Sequence, residues 1–334
     1  MARGREIGRG ERVLPGLHRL RLPLPLEGVP HCNAWAIGGP RGFVLVDTGM
    51  HHPGSIADLE RALGDVGLAL EQVGLIVITH AHNDHWGQAA PIQERSGAEV
   101  WIHPDRRHAT AAVEDPETTL ERRVEIGRLG GVSEAALAHY AERARETGTG
   151  LAALVDADRE LVAGVVVETE LGPWTVFETP GHAPSHVCLW QPERRLLISG
   201  DHLLGRISLY FEYGYTPDPV GEFLSSLDLI EPLGARLCLS GHGRTFTDFA
   251  GHIAANRELV GANLAAVLGA ARALPGTALE LVARLYGDSL SPVMVTWRLT
   301  ETLCYLRHLE VAGAARRKRD GAAELWSASG SRQP

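Results

Sequence analysis

The sequence predicts an α/β protein in which helices cover a layered β-sheet. Two apolar runs that end in glycine, NAWAIGG and GFVLVDTG, precede a stretch with helical apolar spacing, SIADLERALGDVGL. Short apolar runs bounded by turn residues are typical of strands, whereas apolar residues three and four positions apart are typical of helices. Strands and helices that alternate in this way favour layers of helix packed on sheet.

The elements of the first hundred residues follow this rhythm. The stretch 55–68 is predicted to be a helix, and Ser55 is expected to be its N-cap because a serine hydroxyl can accept a hydrogen bond from a free amide of the first turn. A continuous apolar strand, GLIVITH, comes next. The helix GQAAPIQERSG and the strand AEVWIHP complete this part of the chain.

Residues 105–149 are predicted to form a helical insertion. The stretches ETTLERRVEIGRL and SEAALAHYAERARET are charged and amphipathic, and no strand pattern separates them. Such an insertion would cover an active site as a lid, form the contact of a homodimer, or simply pack on the edge of the sheet. The sequence leaves these three alternatives open.

Strand patterns return in the second half of the chain and end before a helical tail. The meander ELVAGVVVETELGPWTVFETPGH and the stretch HVCLWQPERRLLISGDHL precede a helix, DPVGEFLSSLDLIEPLG, and a strand, ARLCLSGHG. The tail has three helical stretches, a basic turn, AARRKRDG, and a short strand, AAELWSA. Helices followed by a charged hairpin are typical of a winged-helix module. We therefore expect a catalytic domain over residues 1–248 and a winged-helix-like domain over residues 249–334.

Composition excludes some classes of function. The formal net charge of −9 repels a phosphate backbone, so general binding of nucleic acid is not expected. No signal peptide and no apolar run long enough to span a bilayer are found, so neither secretion nor membrane insertion is expected. The four cysteines lie far apart without a CxxC pair, which favours reduced thiols in a cytoplasmic protein.

The stretch ITHAHNDHWG carries the strongest functional signal, because it holds three histidines and an aspartate within six positions. Alternate side chains of an extended chain point to the same side, so His80 and His82 can reach one cation. Asp84 and His85 follow at a turn and can both reach a neighbouring cation. Imidazole nitrogens and carboxylate oxygens are ligands that zinc accepts. This stretch therefore offers two ligands to each of two metal ions.

Three later strand ends supply further candidate ligands. His182 in ETPGHAPSH, Asp201 in LLISGDHLL and His242 in LCLSGHGR each follow an apolar strand and, directly, a glycine. The ends of the strands in a layered sheet converge on one edge, where side chains from distant parts of the chain can assemble a site. A carboxylate between two ions can bridge them, and Asp201 is the candidate for that role.

The remaining histidines are expected to have other roles. His186 and His202 lie beside candidate ligands and are expected to support them or to be structural. Five others are expected to be ordinary polar residues: His103, His108, His139, His252 and His308.

These motifs resemble those of the metallo-β-lactamase superfamily. THAHNDH resembles the THxHxDH signature of that family, and TPGH, SGD and SGHG resemble its later motifs, over about residues 33–244. The resemblance implies an αββα four-layer sandwich with a dinuclear metal site between the sheets. The tail resembles, more loosely, the winged-helix extension of some lactamase-like hydrolases and of the related endoribonucleases.

The resemblance also implies a role for each candidate ligand. One metal would take His80, His82 and His182, and the second would take Asp84, His85 and His242. Asp201 would bridge the two. Asp47 in LVDTG would support the site without coordinating a metal.

Such a site predicts metal-assisted hydrolysis. Two divalent ions that share a water lower its pKa, so that hydroxide is available as a nucleophile near neutral pH. Asp84 is the candidate to orient the hydroxide and to pass a proton to the leaving group. Zinc is the expected ion, with iron and manganese as alternatives, because histidine and carboxylate ligands suit all three.

A small thioester, ester or lactone is the expected substrate. Asp201 stands where zinc β-lactamases of this family have a cysteine ligand, and a carboxylate there resembles the glyoxalase II, lactonase, thioesterase and phosphodiesterase branches. The aromatic stretch 209–219 directly follows that aspartate, and its side chains are expected to line an acyl pocket. The expected pocket residues are Tyr210, Phe211, Tyr213 and Tyr215, with Trp86 beside the ligands.

Two other classes of function remain as alternatives. The first is an endoribonuclease or phosphodiesterase that acts on RNA, for which the basic residues 316–319 of the tail would contact phosphates. The second is a redox protein or a scaffold that has lost catalysis. The sequence has no flavin or rubredoxin motif and no broken ligand position, so neither form of this second class is favoured.

Overall fold

The computed structural model describes residues 7–26 and 28–330, and the strands in these ranges form two mixed sheets and a hairpin. The first sheet has seven strands in chain order. Neighbouring strands are antiparallel from the first to the fourth strand and parallel from the fourth to the seventh. Its strands are β1 (Arg9–Leu14), β2 (Leu17–Leu26), β3 (Val29–Gly39), β4 (Gly42–Val46), β5 (Val73–Val77), β6 (Glu99–Ile102) and β7 (Arg159–Glu160).

The second sheet has five strands in the order β12-β11-β10-β9-β8. The pair of β11 and β12 is parallel, and the other pairs are antiparallel. Its strands are β8 (Val166–Val167), β9 (Trp174–Glu178), β10 (Val187–Gln191), β11 (Leu196–Gly200) and β12 (Leu237–Ser240). The meander predicted from the sequence is therefore present, with shorter strands than its apolar runs suggested.

Helices cover the outer face of each sheet. Against the first sheet lie α1 (Ser55–Asp65) and α3 (Ala89–Ser96), and the short α2 (Asn83–Trp86) follows the histidine-rich stretch. Against the second sheet lie α7 (Pro219–Ile230), α8 (Phe249–Ala273), α9 (Ala278–Tyr286) and α10 (Pro292–Val311). None of the helices in the described ranges has the length and apolar character needed to cross a membrane.

Alternation along single strands shows how the layers pack. In β4, Phe43 and Leu45 pack with the helices α1 and α3, whereas Val44 and Val46 face the second sheet. In β11, Leu197 packs with the outer helices of the second sheet, and its neighbours face the first sheet. Because successive side chains of a strand point to opposite faces, each sheet is covered on both sides. The architecture is the αββα sandwich, as predicted.

The insertion between β6 and β7 is helical, as predicted. It contains α4 (Arg107–Glu114), α5 (Pro116–Leu129) and α6 (Glu134–Glu146). Asp115 caps α5, since its carboxylate accepts a hydrogen bond from the Thr118 amide at 3.2 Å, and Pro116 occupies the first helical position, where no amide donor is needed. The helix α5 also packs against the tail.

The tail consists of α8, α9 and α10 followed by the hairpin of β13 (Ala315–Asp320) and β14 (Ala323–Ala328). The basic run predicted as a turn is in fact strand β13, because it pairs with β14 along its whole length. Trp326 and Cys304 of the tail share one apolar core with Leu197 and Phe223 of the preceding layer. The winged-helix assignment and the domain boundary near residue 248 stay predictions.

The start of α1 differs from the sequence-based expectation. The N-cap is Gly54, whose φ of 89° lies in the left-handed region that favours glycine, and Ser55 is already inside the helix. The Ser55 hydroxyl instead accepts a hydrogen bond from the His52 amide at 3.1 Å. The prediction of Ser55 as N-cap was therefore wrong by one residue.

Candidate metal centre

The candidate ligands follow strands whose carboxyl ends lie at one edge of the sandwich. In the first sheet, Asp47 follows β4 and the histidine-rich stretch follows β5, and these strands are parallel neighbours. In the second sheet, Asp201 follows β11 and His242 follows β12, which are also parallel neighbours. Two parallel pairs, one in each sheet, thus bring residues that are far apart in the chain to the same cleft.

Three imidazoles form the first group of donors. His82 Nδ1 lies 3.0 Å from His80 Nε2 and 3.0 Å from His182 Nε2. His80 is fully buried, and the other two rings are largely buried. These two distances show that Nδ1 of His82, and not its Nε2, faces the other two rings.

Two imidazoles and a carboxylate form the second group of donors. His242 Nε2 lies 3.4 Å from His85 Nε2 and 3.3 Å from Asp84 Oδ2. His85 Nε2 and Asp84 Oδ2 are 3.7 Å apart. The potential ligand atoms of this group lie within 4.8 Å of one another, as do those of the first group.

Asp201 lies between the two groups. Its Oδ2 is 3.1 Å from His242 Nε2 and 3.7 Å from His182 Nε2, so a single carboxylate oxygen approaches both groups. Its Oδ1 is 3.6 Å from His85 Nε2. Asp201 thus has the position that a bridging carboxylate requires.

Backbone and side-chain acceptors orient several of these rings. His242 Nδ1 donates to the His31 carbonyl at 2.8 Å, and His182 Nδ1 donates to the Tyr210 carbonyl at 3.0 Å. With Nδ1 hydrogen-bonded in this way, Nε2 is the nitrogen of each ring that faces the centre and can bind a metal once it carries no proton. The His186 ring, expected to support a ligand, accepts a hydrogen bond at Nε2 from the Asp201 amide at 3.0 Å.

The sequence matches the family model described as the metallo-beta-lactamase superfamily over residues 28–242, which is more than half of the chain. The chain belongs to the metallo-β-lactamase superfamily. Members of this superfamily with related sequences include hydrolases and thioesterases, and this protein is a metal-dependent hydrolase of that fold.

Two solved structures resemble the whole chain. The metallo-beta-lactamase family protein TTHA1429 of Thermus thermophilus superposes with a TM-score of 0.82 at 27% identity and covers 95% of this chain and 100% of its own. A beta-lactamase domain protein of Burkholderia ambifaria has a TM-score of 0.79 at 25% identity, with 97% and 94% covered. The resemblance to both includes the helical insertion and the tail, since so little of this chain is left uncovered.

Three curated relatives match a large part of the chain. The lactamase-like protein aptB of Emericella nidulans is 23% identical over 87% of this chain and 82% of its own length. The acyl-coenzyme A thioesterase MBLAC2 of Bos taurus is 26% identical over 66% of this chain and 76% of its own. The atrochrysone carboxyl ACP thioesterase of Aspergillus chevalieri is 22% identical over 74% of this chain, which spans 63% of that protein.

Electrostatics favour a cation at the centre of this superfamily member. Burial alone would lower the pKa of His242, but the carboxylates of Asp201 and Asp84 raise it to about 10. Burial would also lower the pKa of His85, and the same carboxylates, with Asp47, raise it well above its ordinary value. The carboxylates thus hold protons on two buried imidazoles. Divalent cations can replace such protons, since metal ligands bind as neutral imidazoles and carboxylates.

Glycines leave the space that the centre needs. A Cβ at Gly241 would stand 2.2 Å from Asp201 Oδ1 and 2.8 Å from His85 Cε1, within the centre itself. Gly200 has a φ of 46°, and a Cβ there would stand 2.6 Å from His186 Nε2. The donor set, the buried carboxylates and these glycines therefore fit divalent metal ions.

The aromatic side chains expected to line a substrate pocket occupy different places. The Tyr210 ring lies near the centre, with its centroid 5.7 Å from that of His182 and 6.0 Å from that of His82. The Tyr215 ring lies 5.8 Å from the His108 ring. Tyr210 therefore borders the metal centre, whereas Tyr215 lies beside His108 of the insertion.

Three of the expected pocket residues point elsewhere. Phe211 is fully buried in the apolar core against Phe223 and Tyr305, because its side chain points away from the centre. Tyr213 packs on the same core, close to the charged hairpin. Trp86 is buried among the apolar residues between the first sheet and its helices. These three side chains therefore pack on apolar cores, and their part in a pocket wall stays a prediction.

Sequence reasoning missed two residues at the edge of the centre. Glu212 Oε1 lies 3.3 Å from His82 Nε2, and Glu212 Oε2 lies 2.6 Å from His108 Nδ1. Glu212 was passed over because it stands within an aromatic run, and His108 because it is a single histidine in a helical insertion. The signal that could have identified Glu212 is its position as an acidic residue directly between aromatic residues of that run.

Proposed function

We propose that this hydrolase cleaves a small carboxylic thioester, ester or lactone, with thioesters as the first class to test. The observation that carries the proposal is the Asp201 carboxylate, which contacts imidazoles of both donor groups. An oxygen ligand at this position differs from the cysteine of the zinc β-lactamases and resembles the thioesterase, lactonase and phosphodiesterase branches of the superfamily, among which the aromatic rings beside the centre favour an acyl substrate. The names of two relatives, both thioesterases, support the same class.

The proposal assigns seven ligands to two metal ions. His80, His82 and His182 would hold one ion, Asp84, His85 and His242 would hold the other, and Asp201 would serve both. Zinc is the first ion to test, since imidazole and carboxylate donors suit it, with iron and manganese as alternatives. Two such ions supply a water of lowered pKa and polarise the carbonyl oxygen of the substrate.

The chain's own residues would then position and protonate the reacting groups. Asp84 is 9% exposed, so its carboxylate is at the boundary between the buried donors and the cleft. Burial alone would raise the pKa of Asp84, but His85 and His242 hold it well below its usual range, so the carboxylate is ionised, as a metal ligand must be. We assign to Asp84 the transfer of a proton to the leaving group.

Apolar and aromatic groups beside the centre favour an acyl group over a phosphodiester. The Tyr210 ring lies between the ligands His82 and His182 on one side and the Trp297 ring on the other, 5.9 Å away. Burial raises the pKa of Tyr210 far above its ordinary value, so its hydroxyl stays protonated. These two rings, tilted by 50° to each other, provide apolar surface beside the centre on which an acyl chain can pack.

A panel of substrates tests the proposal. Zinc-loaded protein is assayed with short-chain and long-chain acyl thioesters, aryl esters, lactones, β-lactams, phosphodiesters and short RNAs. We expect the highest kcat/KM for a thioester, ester or lactone. A preference for phosphodiester or RNA, retained in metal-loaded protein and lost in Asp201→Ala, would refute the substrate class while leaving the hydrolase intact.

An RNA-directed endonuclease is the second candidate, and the hairpin contacts bear on it. Arg317 of β13 pairs with Glu310 at 3.1 Å and with Glu324 at 3.1 Å, and Arg319 lies 3.8 Å from Glu125. Acidic partners reduce the positive potential that phosphate binding needs. We therefore expect no RNA gel shift at physiological salt. A salt-dependent shift that disappears when the four residues 316–319 are changed to alanine would revive this candidate.

We also propose a reducing, cytoplasmic setting. The four cysteines are free and buried, so no pair of them contributes a disulfide to this fold. Stable folding in a reducing buffer, with unchanged thermal unfolding on addition of dithiothreitol, would be the expected result.

A further inference from the structure

The helical insertion reaches the metal centre through two charged side chains. His108 of α4 is nearly fully buried, and its Nδ1 lies 2.6 Å from Glu212 Oε2. The other oxygen of the same carboxylate lies 3.3 Å from Nε2 of His82. Glu212 therefore stands between the insertion and a proposed metal ligand.

The other end of this chain of contacts returns to the histidine-rich stretch. His108 Nε2 is 2.9 Å from the Ser185 hydroxyl, which itself accepts a hydrogen bond from the Ala81 amide at 2.9 Å. The five groups thus form a closed path that begins at Ala81 and ends at its neighbour, His82. Segments from four parts of the chain meet in it.

The chemistry of the groups determines which atom carries each proton. The two Glu212 contacts are short but do not have hydrogen-bond geometry. A carboxylate has no proton to donate and attracts one, so we place the proton of each neutral ring on the nitrogen that faces Glu212, which is Nε2 of His82 and Nδ1 of His108. The His108 ring then has a free lone pair at Nε2, which accepts from the Ser185 hydroxyl. The same hydroxyl accepts from Ala81 with its remaining lone pair. With these proton positions, each protonated nitrogen in the path carries its proton on the side where its neighbour can accept it.

We infer that Glu212, oriented by His108, is a positioning residue that fixes the tautomer of His82 so that Nδ1 faces the first metal ion. This inference rests on the proposed assignment of His82 as a ligand. Nδ1 of His82 lies 3.0 Å from Nε2 of both other imidazoles, whereas Nε2 faces the carboxylate. A carboxylate on the far nitrogen of a ligand histidine orients the ring and raises its basicity toward a metal.

The inference gives the insertion a function. Without α4, the second oxygen of Glu212 would lack its partner, His108. The segment that carries Glu212 is neither helix nor strand, so no regular backbone pairing holds it in place. Arg122 of α5 donates to the Gly214 carbonyl and lies over the Tyr215 ring, with 4.1 Å to the centroid, which ties the same segment to the insertion. The insertion therefore shapes the centre from outside the ligand set.

Metal titration of four proteins tests the inference. Wild type, Glu212→Gln, His108→Gln and the double variant are stripped with a chelator and titrated with zinc against a chromophoric competitor. We expect two equivalents in wild type. In Glu212→Gln, the affinity for one equivalent should fall about 10- to 100-fold while the other is unchanged. The double variant should be no weaker than Glu212→Gln, because both changes break the same path.

A matched control and a spectroscopic readout separate positioning from general damage. His103 and Glu178 form a similar pair, 3.2 Å apart, without contact to a ligand, so Glu178→Gln should leave both affinities unchanged. In cobalt-substituted wild type, the Nε2 proton of His82 should give a paramagnetically shifted, slowly exchanging NMR signal. This signal alone should broaden in Glu212→Gln, whereas general destabilisation would affect the signals of all the ligands.

Each outcome is distinct. Equal zinc affinities in wild type and Glu212→Gln, with an unchanged His82 signal, would overturn the inference and leave the proposed function standing. A third zinc equivalent that is lost in His108→Gln would also overturn it, because His82, His108 and Glu212 would then hold a metal of their own. Wild type that binds no zinc would instead overturn the proposed function.

Discussion

Asp47 Oδ2 lies 2.8 Å from Nδ1 of His85, although 38 residues separate them in the chain. The same carboxylate accepts hydrogen bonds from the amide and the hydroxyl of Thr79 at 2.8 and 2.9 Å. Asp47 has a φ of 63°, an uncommon value for a residue other than glycine, which brings its side chain from the end of β4 towards the neighbouring strand. The aspartate therefore orients His85 and anchors the first residue of the ligand-bearing stretch.

Changing Asp47 to asparagine should weaken metal binding. Asparagine tolerates a positive φ, so the backbone should be retained. In wild type the carboxylate accepts hydrogen bonds from the amide and hydroxyl of Thr79 and from the His85 ring. The NH2 group of asparagine must face at least one of these three N–H or O–H groups, which then has no acceptor. We expect the affinity for one zinc equivalent to fall about 10- to 100-fold in a competition titration. Asp65→Asn, which alters an exposed pair with Arg9, is the control and should behave as wild type.

Changing Asp84 to asparagine should abolish most of the hydrolysis without unfolding the protein. The amide cannot accept the proton that we assign to the carboxylate, so kcat should fall by about two orders of magnitude or more. The circular dichroism spectrum should match that of wild type. Near wild-type turnover by a fully zinc-loaded sample would refute the role assigned to Asp84.

Changing His80 and His82 together to alanine should reduce the bound metal. Both belong to the first donor group, so elemental analysis should find about one zinc equivalent fewer than in wild type. The second group should retain its metal, since it contains neither residue. A stoichiometry equal to that of wild type would mean that these histidines are not ligands.

The sequence predicted the layered fold and the seven clustered side chains because both depend on local patterns. Each candidate ligand comes shortly after an apolar strand, as Asp201 does after β11 and His242 after β12. When the strands are parallel neighbours, their carboxyl ends meet, and the residues that follow them must meet as well. Proximity in space then follows from topology alone.

The surroundings of the centre depend on packing that no local pattern encodes. Tyr210 and Phe211 are adjacent in one aromatic run, yet the first borders the centre and the second is buried in the core. In an irregular segment no periodicity assigns alternate side chains to alternate sides. Similarly, Glu212 and His108 are 104 residues apart, and only the path of the insertion brings them together.

The join between the tail and the second sheet gives a prediction about stability. Trp326 is fully buried in the apolar core that the tail shares with Leu197 of the second sheet, and its backbone exchanges two hydrogen bonds with Gly276 of the tail itself, at 2.8 and 3.1 Å. Replacing a buried tryptophan by alanine costs about 3–5 kcal/mol. Trp326→Ala should therefore lower the midpoint of a single unfolding transition measured by urea titration. If a separate early transition appears instead, the tail unfolds as an independent domain. Leu229→Ala, at an exposed position, should change little.

Metal binding should release protons and should strengthen as the pH rises. In the metal-free protein the pKa of His242 is raised to about 10, so this imidazole is protonated at pH 7 and must lose its proton to bind a cation. The raised pKa also means that the proton stabilises the metal-free fold below about pH 6.5, and that this contribution is lost as the pH rises through 10.

Calorimetry in buffers of different ionisation enthalpy measures this release directly. At pH 7 we expect zinc binding to release at least one proton per protein, and we expect the apparent zinc affinity to rise about tenfold per pH unit for each proton released. The free energy of unfolding of the metal-free protein should decline between about pH 7 and pH 10. In Asp201→Asn the main group that raises the pKa of His242 is neutral, so fewer protons should be released at pH 7. Zinc binding without proton release in wild type would mean that His242 is already neutral and that the carboxylates do not hold a proton on it.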